Sequence, residues 1–219
     1  EFQDMTGRKR ITISRTGSDF EREPLIRPFG FKGGFMSEIW QSACFVEGDS
    51  GKHAIGLCTQ NVLWSDAEVF AGHSESGGNA LMYALTERAL QMIKGERFIS
   101  PDMLLEDILP EVYELGKKLT GHKNLRKTFA LNALVGIDNA LWLLFAKENG
   151  ISGFDGLIPD KYKPALSTKH EKVAAIPLMA YNIPIREIES AVHEGYFFMK
   201  IKIGQPGTQD EMLEKDKSR

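Results

Sequence analysis

Residues 174–182 read AAIPLMAYN and residues 196–204 read YFFMKIKIG, with a helix-compatible stretch from Pro184 to Glu194 between them. Short apolar runs bounded by Gly and Pro are strand-like. Strand, helix, strand in that order is a βαβ unit, whose crossover makes the two strands parallel. Parallel strands need cover on both faces, and a closed (β/α)8 barrel takes about 250 residues. The residues from 174 to 219 hold two such strands at most. The C-terminal part is therefore expected to be the start of an incomplete, apparently truncated (β/α) barrel, over 174–219.

Working backwards, the sequence predicts an α+β domain over 25–150, joined to the βαβ unit by a Gly, Pro and Lys-rich linker over 151–173. The run FMSEIWQSACFVE from Phe35 to Glu47 is aromatic and β-branched, and a second run begins near His53 after Gly48-Asp49-Ser50-Gly51. Two such runs flanking a Gly/Asp turn make a hairpin. Leu25 and Ile26 offer a further strand, and Arg27 to Gly34 reads as a loop into the hairpin. Residues 1–24 read as a loosely held polar arm with a short β-prone piece at Ile11 to Ser14.

Three helices follow. Leu81, Leu85, Ala89 and Met92 recur at helical spacing from Ser76 to Lys94, and Gly95 supplies the stop. Ser100-Pro101-Asp102 gives an N-cap, a first-turn Pro and an acid at the positive end of the second helix, with a bend expected near Pro110. The third runs from about Asn124 to Asn149, with Phe129, Ala130, Ala133, Leu134, Ile137, Ala140, Leu141, Leu144 and Phe145 on one broad face and Gly150 at its end.

The informative chemistry is Lys200-Ile201-Lys202. Residues two apart on a strand share a face, so the two ammonium groups project together while Met199, Ile201 and Ile203 take the other side. At the C-terminal end of a barrel strand they face the mouth, where such barrels hold their active sites. Mutual repulsion and partial desolvation push one lysine toward neutrality, and a neutral amine is a usable general base. The competing reading makes both lysines solvent-facing guards of an edge strand.

The third helix, ALNALVGIDNALWLLFAKENG over 130–150, resembles the A-x-x-x-x-D-x-A-L-W-D-L-x-A-K-x-x-G signature of the enolase superfamily, in its mandelate racemase and muconate lactonizing group. Asp138, Ala140, Leu141, Trp142, Ala146, Lys147 and Gly150 match it, and Leu143 stands where that family often has Asp. The resemblance implies an N-terminal α+β cap followed by a barrel, with Lys202 as the acid/base that takes a proton alpha to a carboxylate. Lys200 would lower the pKa of Lys202 and contact the substrate carboxylate. It further implies Mg on carboxylates of the third to fifth barrel strands. Those strands are not in this sequence, so no metal ligand is assigned, and the chain as given is expected to be inactive.

In that family two cap loops close over the mouth and choose the substrate. Here the matching candidates are Arg27 to Gly34, with Phe29, Gly30 and Phe31, and the segment Gln60 to Ser76. The implied partners are a small carboxylate such as a sugar acid or amino-acid derivative, and further copies of the parent in a homo-oligomer. Racemase, epimerase, cycloisomerase and acid-sugar dehydratase chemistry all remain open. So does a noncatalytic α+β binding or assembly module.

With 27 basic and 30 acidic residues, a net charge of -3 and no block of either sign, composition gives no electrostatic reason for nucleic acid or membrane binding. No uninterrupted run of about 18 apolar residues occurs. Cys44 and Cys58 read as buried thiols in strands that can face one another or point apart, and the five histidines are too scattered for a zinc site. Gly72 to Gly77, GHSESG, fails the G-x-S-x-G pattern and reads as a polar loop before a helix. The chain opens at Glu1 rather than Met, so a removed export signal stays open beside the favoured cytoplasm.

Overall fold

The computed structural model describes residues 7–218. The first six residues of the expected arm and Arg219 lie outside them. Strand β1 (Ile11–Phe31) leads into β2 (Gly34–Gly48), β3 (His53–Gln60), helices α1 (Val62–Ser65), α2 (Ala67–His73) and α3 (Glu75–Ile93), then β4 (Arg97–Phe98), α4 (Pro101–Thr120) and α5 (Lys127–Asn149). After a one-turn helix α6 (Phe154–Leu157) and a 3-10 turn at Asp160–Tyr162 come β5 (Leu178–Met179), α7 (Ile185–His193), β6 (Lys200–Ile201) and α8 (Gln209–Ser218). Two compact units result, one from residues up to Glu23 with Ile39–Pro159, the other from Pro24–Glu38 with Asp160–Arg219.

In the first unit the expected β2–β3 hairpin forms, with register from Trp40↔Gln60 to Glu47↔His53. Ser42, Cys44 and Val46 on β2 and Ala54, Cys58 and Gln60 on β3 are buried while their neighbours are not, the alternation of a sheet with one covered face. Helix α5 provides that cover and also packs on α3 and α4. All nine apolar residues read onto its broad face are buried. By length and composition alone α5 could cross a membrane, yet 61% of its most apolar window is buried inside the protein.

Helix ends follow the sequence closely. Gly95 and Gly150 take left-handed φ values of 89° and 66° after α3 and α5. Ser74 caps α3 by accepting from the Gly77 N–H, which accounts for GHSESG as a cap. Ser100 stands at the N-cap position of α4, but its hydroxyl goes to the Asp102 carboxylate and not to the helix backbone. Cys44 and Cys58 are free and buried.

Three expectations need correction. The arm is not loose from Ile11 onward: Ile11 and Ile13 are 1% and 0% exposed, Ile11 pairs with Phe98, and the Ser14 hydroxyl donates to the carbonyls of Glu47 and Gly48 at 3.1 Å. A Thr/Ser/Arg-rich piece with little pattern of its own becomes a strand because β4 and the β2 end supply its partners.

The segment from Gln60 to Ser76 is no open lid loop, since α1 and α2 fill it. Gln60, Asn61, Ser65 and Asp66 in it are buried and hydrogen-bonded. Asn132 Oδ1 accepts from the Asn61 N–H and the Ser65 hydroxyl, the Asp66 carboxylate accepts from the N–H groups of Glu68, Val69 and Arg126, and Asn79 Oδ1 accepts from the Val62 N–H. These bonds hold the part from Asn61 to Val69 in place.

The third correction falls in the second unit, where Arg27 to Gly34 is no loop either. Strand β1 runs to Phe31 and turns back through Lys32 and Gly33, whose φ values of 51° and 75° are those of a two-residue type I′ turn.

Candidate functional site

The second unit contains the predicted βαβ. β5 and β6 pair in parallel, Leu178↔Lys200 and Met179↔Ile201, with α7 between them in sequence. The Lys200 N–H donates to the Pro177 carbonyl at 3.0 Å and the Lys202 N–H to the Met179 carbonyl at 2.8 Å. The strands are shorter than the apolar runs. Phe197 and Ile203 remain 86% and 72% exposed, so the sheet faces that parallel strands normally bury are open here.

The tip of the β1–β2 hairpin packs on this βαβ unit. Phe29 and Phe31 sit on alternate positions of β1, with ring centroids 5.8 Å apart and planes at 62°, an edge-to-face pair. Gly30 between them is buried against the Tyr181 ring: a Cβ built there would lie 2.2 Å from Tyr181 Cε2. Tyr181 follows β5, and its ring meets Phe35 edge-on at 5.4 Å while its hydroxyl donates to the Gly34 carbonyl. The Asn182 amide donates to the Pro28 carbonyl at 2.8 Å. Burial raises the Tyr181 pKa, so the phenol stays a donor.

Beside these, Arg27 and Glu187 form a two-pronged ion pair with N···O distances of 2.9 and 2.6 Å. Hydrogen bonding to Arg27 holds the Glu187 carboxyl below its usual range, and the same bond raises the Arg27 pKa. Glu187 lies in the first turn of α7, where the helix dipole also favours a negative charge.

The structure brings Lys202 to this tip. Its ammonium nitrogen stands 5.4 Å from the centroid of the Phe31 ring, within the range of a cation–π contact, and the side chain is half-buried. Lys200 is exposed. Of the sequence-derived candidates, Lys202, Phe29, Gly30 and Phe31 are thus assembled, on a strand tip and not on a loop. Arg27 entered only as the first residue of the candidate loop, and Tyr181, Asn182 and Glu187 were missed. Tyr181 and Asn182 carried a readable signal, because they directly follow a barrel-type strand, at the end where such folds hold their sites.

The signature residues of α5 lie in the first unit and serve its packing. Asp138 is half-buried, and desolvation raises its pKa against the opposing hydrogen bond from Trp142. Among the described residues no group of three or more His, Cys, Asp or Glu side chains is placed to hold a metal ion.

Solved structures share this fold. Over 94% of its length the chain superposes on the L-Ala-D/L-Glu epimerase from Bacillus subtilis, with TM-score 0.53 and 16% identity, covering 50% of that chain. The chain shares its fold with that epimerase. A mandelate racemase/muconate lactonizing enzyme-like protein from Rubrobacter xylanophilus matches at TM-score 0.51, 17% identity and 94% and 49% coverage of the two chains. The dipeptide epimerase from Enterococcus faecalis V583, solved with Mg and the dipeptide L-Leu-L-Tyr, matches at TM-score 0.50, 15% identity and 94% and 50% coverage. The chain therefore spans about half the length of the structures it matches. No family model matches the sequence, and no curated protein matches it. The shared fold is an α+β cap joined to the start of a (β/α) barrel, as expected from the order of strands and helices.

Proposed function

We propose that this chain carries the cap and the acid/base lysine of an enzyme that removes the proton alpha to a carboxylate, with Lys202 as the base. The observation that carries the reading is the position of Lys202: it directly follows the second parallel strand and lies under the aromatic tip of the cap. A lysine in its neutral form takes a C–H proton once the carbanion is stabilised. Lys200, two residues earlier, is placed to contact the substrate carboxylate, and Phe29 and Phe31 to border the substrate. Small carboxylates are the substrate class, whether dipeptides or sugar acids.

One fold neighbour was solved with Mg, and Mg would stabilise the enediolate in such chemistry. The described residues offer no ligand set for it. The 219-residue chain alone is expected not to turn over.

The test is exchange of the alpha proton in D2O with Mg present, followed by NMR on a panel of dipeptides and sugar acids. It is run on the 219-residue chain and on any longer product of the reading frame that contains it. Exchange by the longer product that is lost in Lys202→Ala supports the assignment. Exchange that survives Lys202→Ala removes Lys202 from the role of base, and exchange by the 219-residue chain alone overturns its expected inactivity.

The exposed Phe197, Ile201 and Ile203 favour one other reading, a noncatalytic module whose open strands pair with another chain. Absence of exchange from every product, together with stable folding of the chain without metal, would favour it.

A further inference from the structure

Among the contacts that tie the hairpin tip to the βαβ unit, three come from different points on it. The Tyr181 hydroxyl holds the Gly34 carbonyl, the Asn182 amide holds the Pro28 carbonyl at 2.8 Å, and Glu187 grips Arg27 through both oxygens. The first two hold backbone of β2 and β1, on either side of the turn at Lys32-Gly33. The third is a charged pair, and it lies at the rim, with side-chain exposures of 51% and 38%. Between these anchor points Phe31, 6% exposed, presents its ring to the Lys202 ammonium.

We propose that Arg27, Tyr181 and Glu187 are positioning residues that hold the hairpin tip against Lys202 before any substrate arrives, so that solvent reaches this half-buried lysine more freely when the clamp releases. This rests on the proposed role of Lys202 for its meaning but not for its test. Tyr181 is the fixed part, because its ring fills the space beside Gly30 and its hydroxyl is buried. The Arg27–Glu187 pair is the releasable part, since an exposed ion pair is screened by salt and worth little unless its geometry is two-pronged, as here. A carboxylate ligand entering beneath the tip would compete for Arg27 and so couple its own arrival to release.

The two lysines of the K-x-K provide an internal comparison, since Lys200 is exposed and Lys202 is half-buried. The 219-residue chain is treated briefly with N-hydroxysuccinimidyl acetate, and acetylation at Lys200 and Lys202 is resolved by fragment-ion mass spectrometry. The Lys202/Lys200 rate ratio should be well below one in the native chain. Arg27→Glu, which sets two carboxylates against each other, should raise the ratio about threefold, and high salt should move the native chain the same way. The double exchange Arg27→Glu with Glu187→Arg should restore the low ratio, and Tyr181→Phe should raise it with the ion pair intact.

A ratio in Arg27→Glu equal to that of the native chain overturns the clamp, as does failure of the double exchange to restore it. Glu187→Gln guards against misfolding in the charge-reversed variant: it removes the charge with little change of shape and should also raise the ratio. No turnover is needed. A clamp that fails this test leaves Lys202 as base intact, and loss of alpha-proton exchange leaves the clamp intact.

Discussion

Gly56 on β3 lies directly against Gly136 on α5: a Cβ on Gly56 would fall 2.1 Å from the Gly136 carbonyl oxygen and 2.3 Å from the Ala140 nitrogen. Both obstructing atoms are backbone in the middle of a packed helix, so neither can swing aside as a side chain would. Gly136 faces a similar limit, with a built Cβ 2.8 Å from Cys44 Sγ. Helix and sheet thus approach through two residues without side chains. Gly56→Ala is expected to destabilise the first unit by about 3 kcal/mol, as overpacking does. A thermal melt should show a fall of several degrees, and an unchanged midpoint would mean that α5 shifts freely over the sheet.

Asn132 is 3% exposed and joins three segments at once. Its Oδ1 accepts from the Asn61 N–H at 3.2 Å and the Ser65 hydroxyl at 3.0 Å, while its Nδ2 donates to the Thr59 carbonyl at 3.1 Å. Asn132→Ala leaves those groups buried without that partner, at a cost of about 2–4 kcal/mol. In urea the midpoint should fall with little change in slope. A midpoint within error of the native chain would show that water replaces the amide.

These two sites mark where the sequence was readable. The β2–β3 alternation and the apolar face of α5 are carried by residues whose partners lie in the same pattern, so periodicity alone located them. The middle of β1, between the β-prone Ile11 to Ser14 and the strand read at Leu25 and Ile26, escaped because residues such as Thr16, Ser18 and Arg22 have little strand pattern of their own. Helices α1 and α2 escaped because the residues between Gln60 and Ser76 that fix them are polar and buried, and polarity in a sequence ordinarily signals a loop. At the site, Lys200-Ile201-Lys202 was legible from its spacing. The reason for Gly30 was not, since it depends on Tyr181, which lies far along the chain.

Cys44 supplies a pH-dependent test. Burial, with the neighbouring Cys58 as a smaller cause, pushes its thiol up to about 12 from the ordinary 9.0. The native thiol therefore keeps its proton at a pH where the unfolded chain has lost it. Below about pH 9 both states are protonated and the contribution to stability is complete. As pH rises above that, the unfolded state binds fewer protons than the native one, and stability falls. Iodoacetamide at pH 8 should leave Cys44 unlabelled in the native chain and label it fully in denaturant. Rapid native labelling would contradict the burial.

Gly30→Ala separates the second unit from the first. The added methyl would meet the face of Tyr181, with Cε2, Cζ and Cδ2 at 2.2, 2.7 and 2.8 Å. The ring is held by its hydroxyl on Gly34 and by Phe35, so it cannot rotate away without losing both. The strain is relieved by lifting the strand tip, which frees the Gly34 carbonyl and removes Phe31 from Lys202. An opening made easier by about 1.4 kcal/mol, within the usual cost of overpacking, raises amide exchange about tenfold. Hydrogen–deuterium exchange should therefore speed up about tenfold over residues 27–35, while the amides of α5 in the first unit keep their protection. Equal loss of protection in both would mean that the substitution unfolds the chain globally. No change in either would mean that Tyr181 yields and the tip does not depend on Gly30.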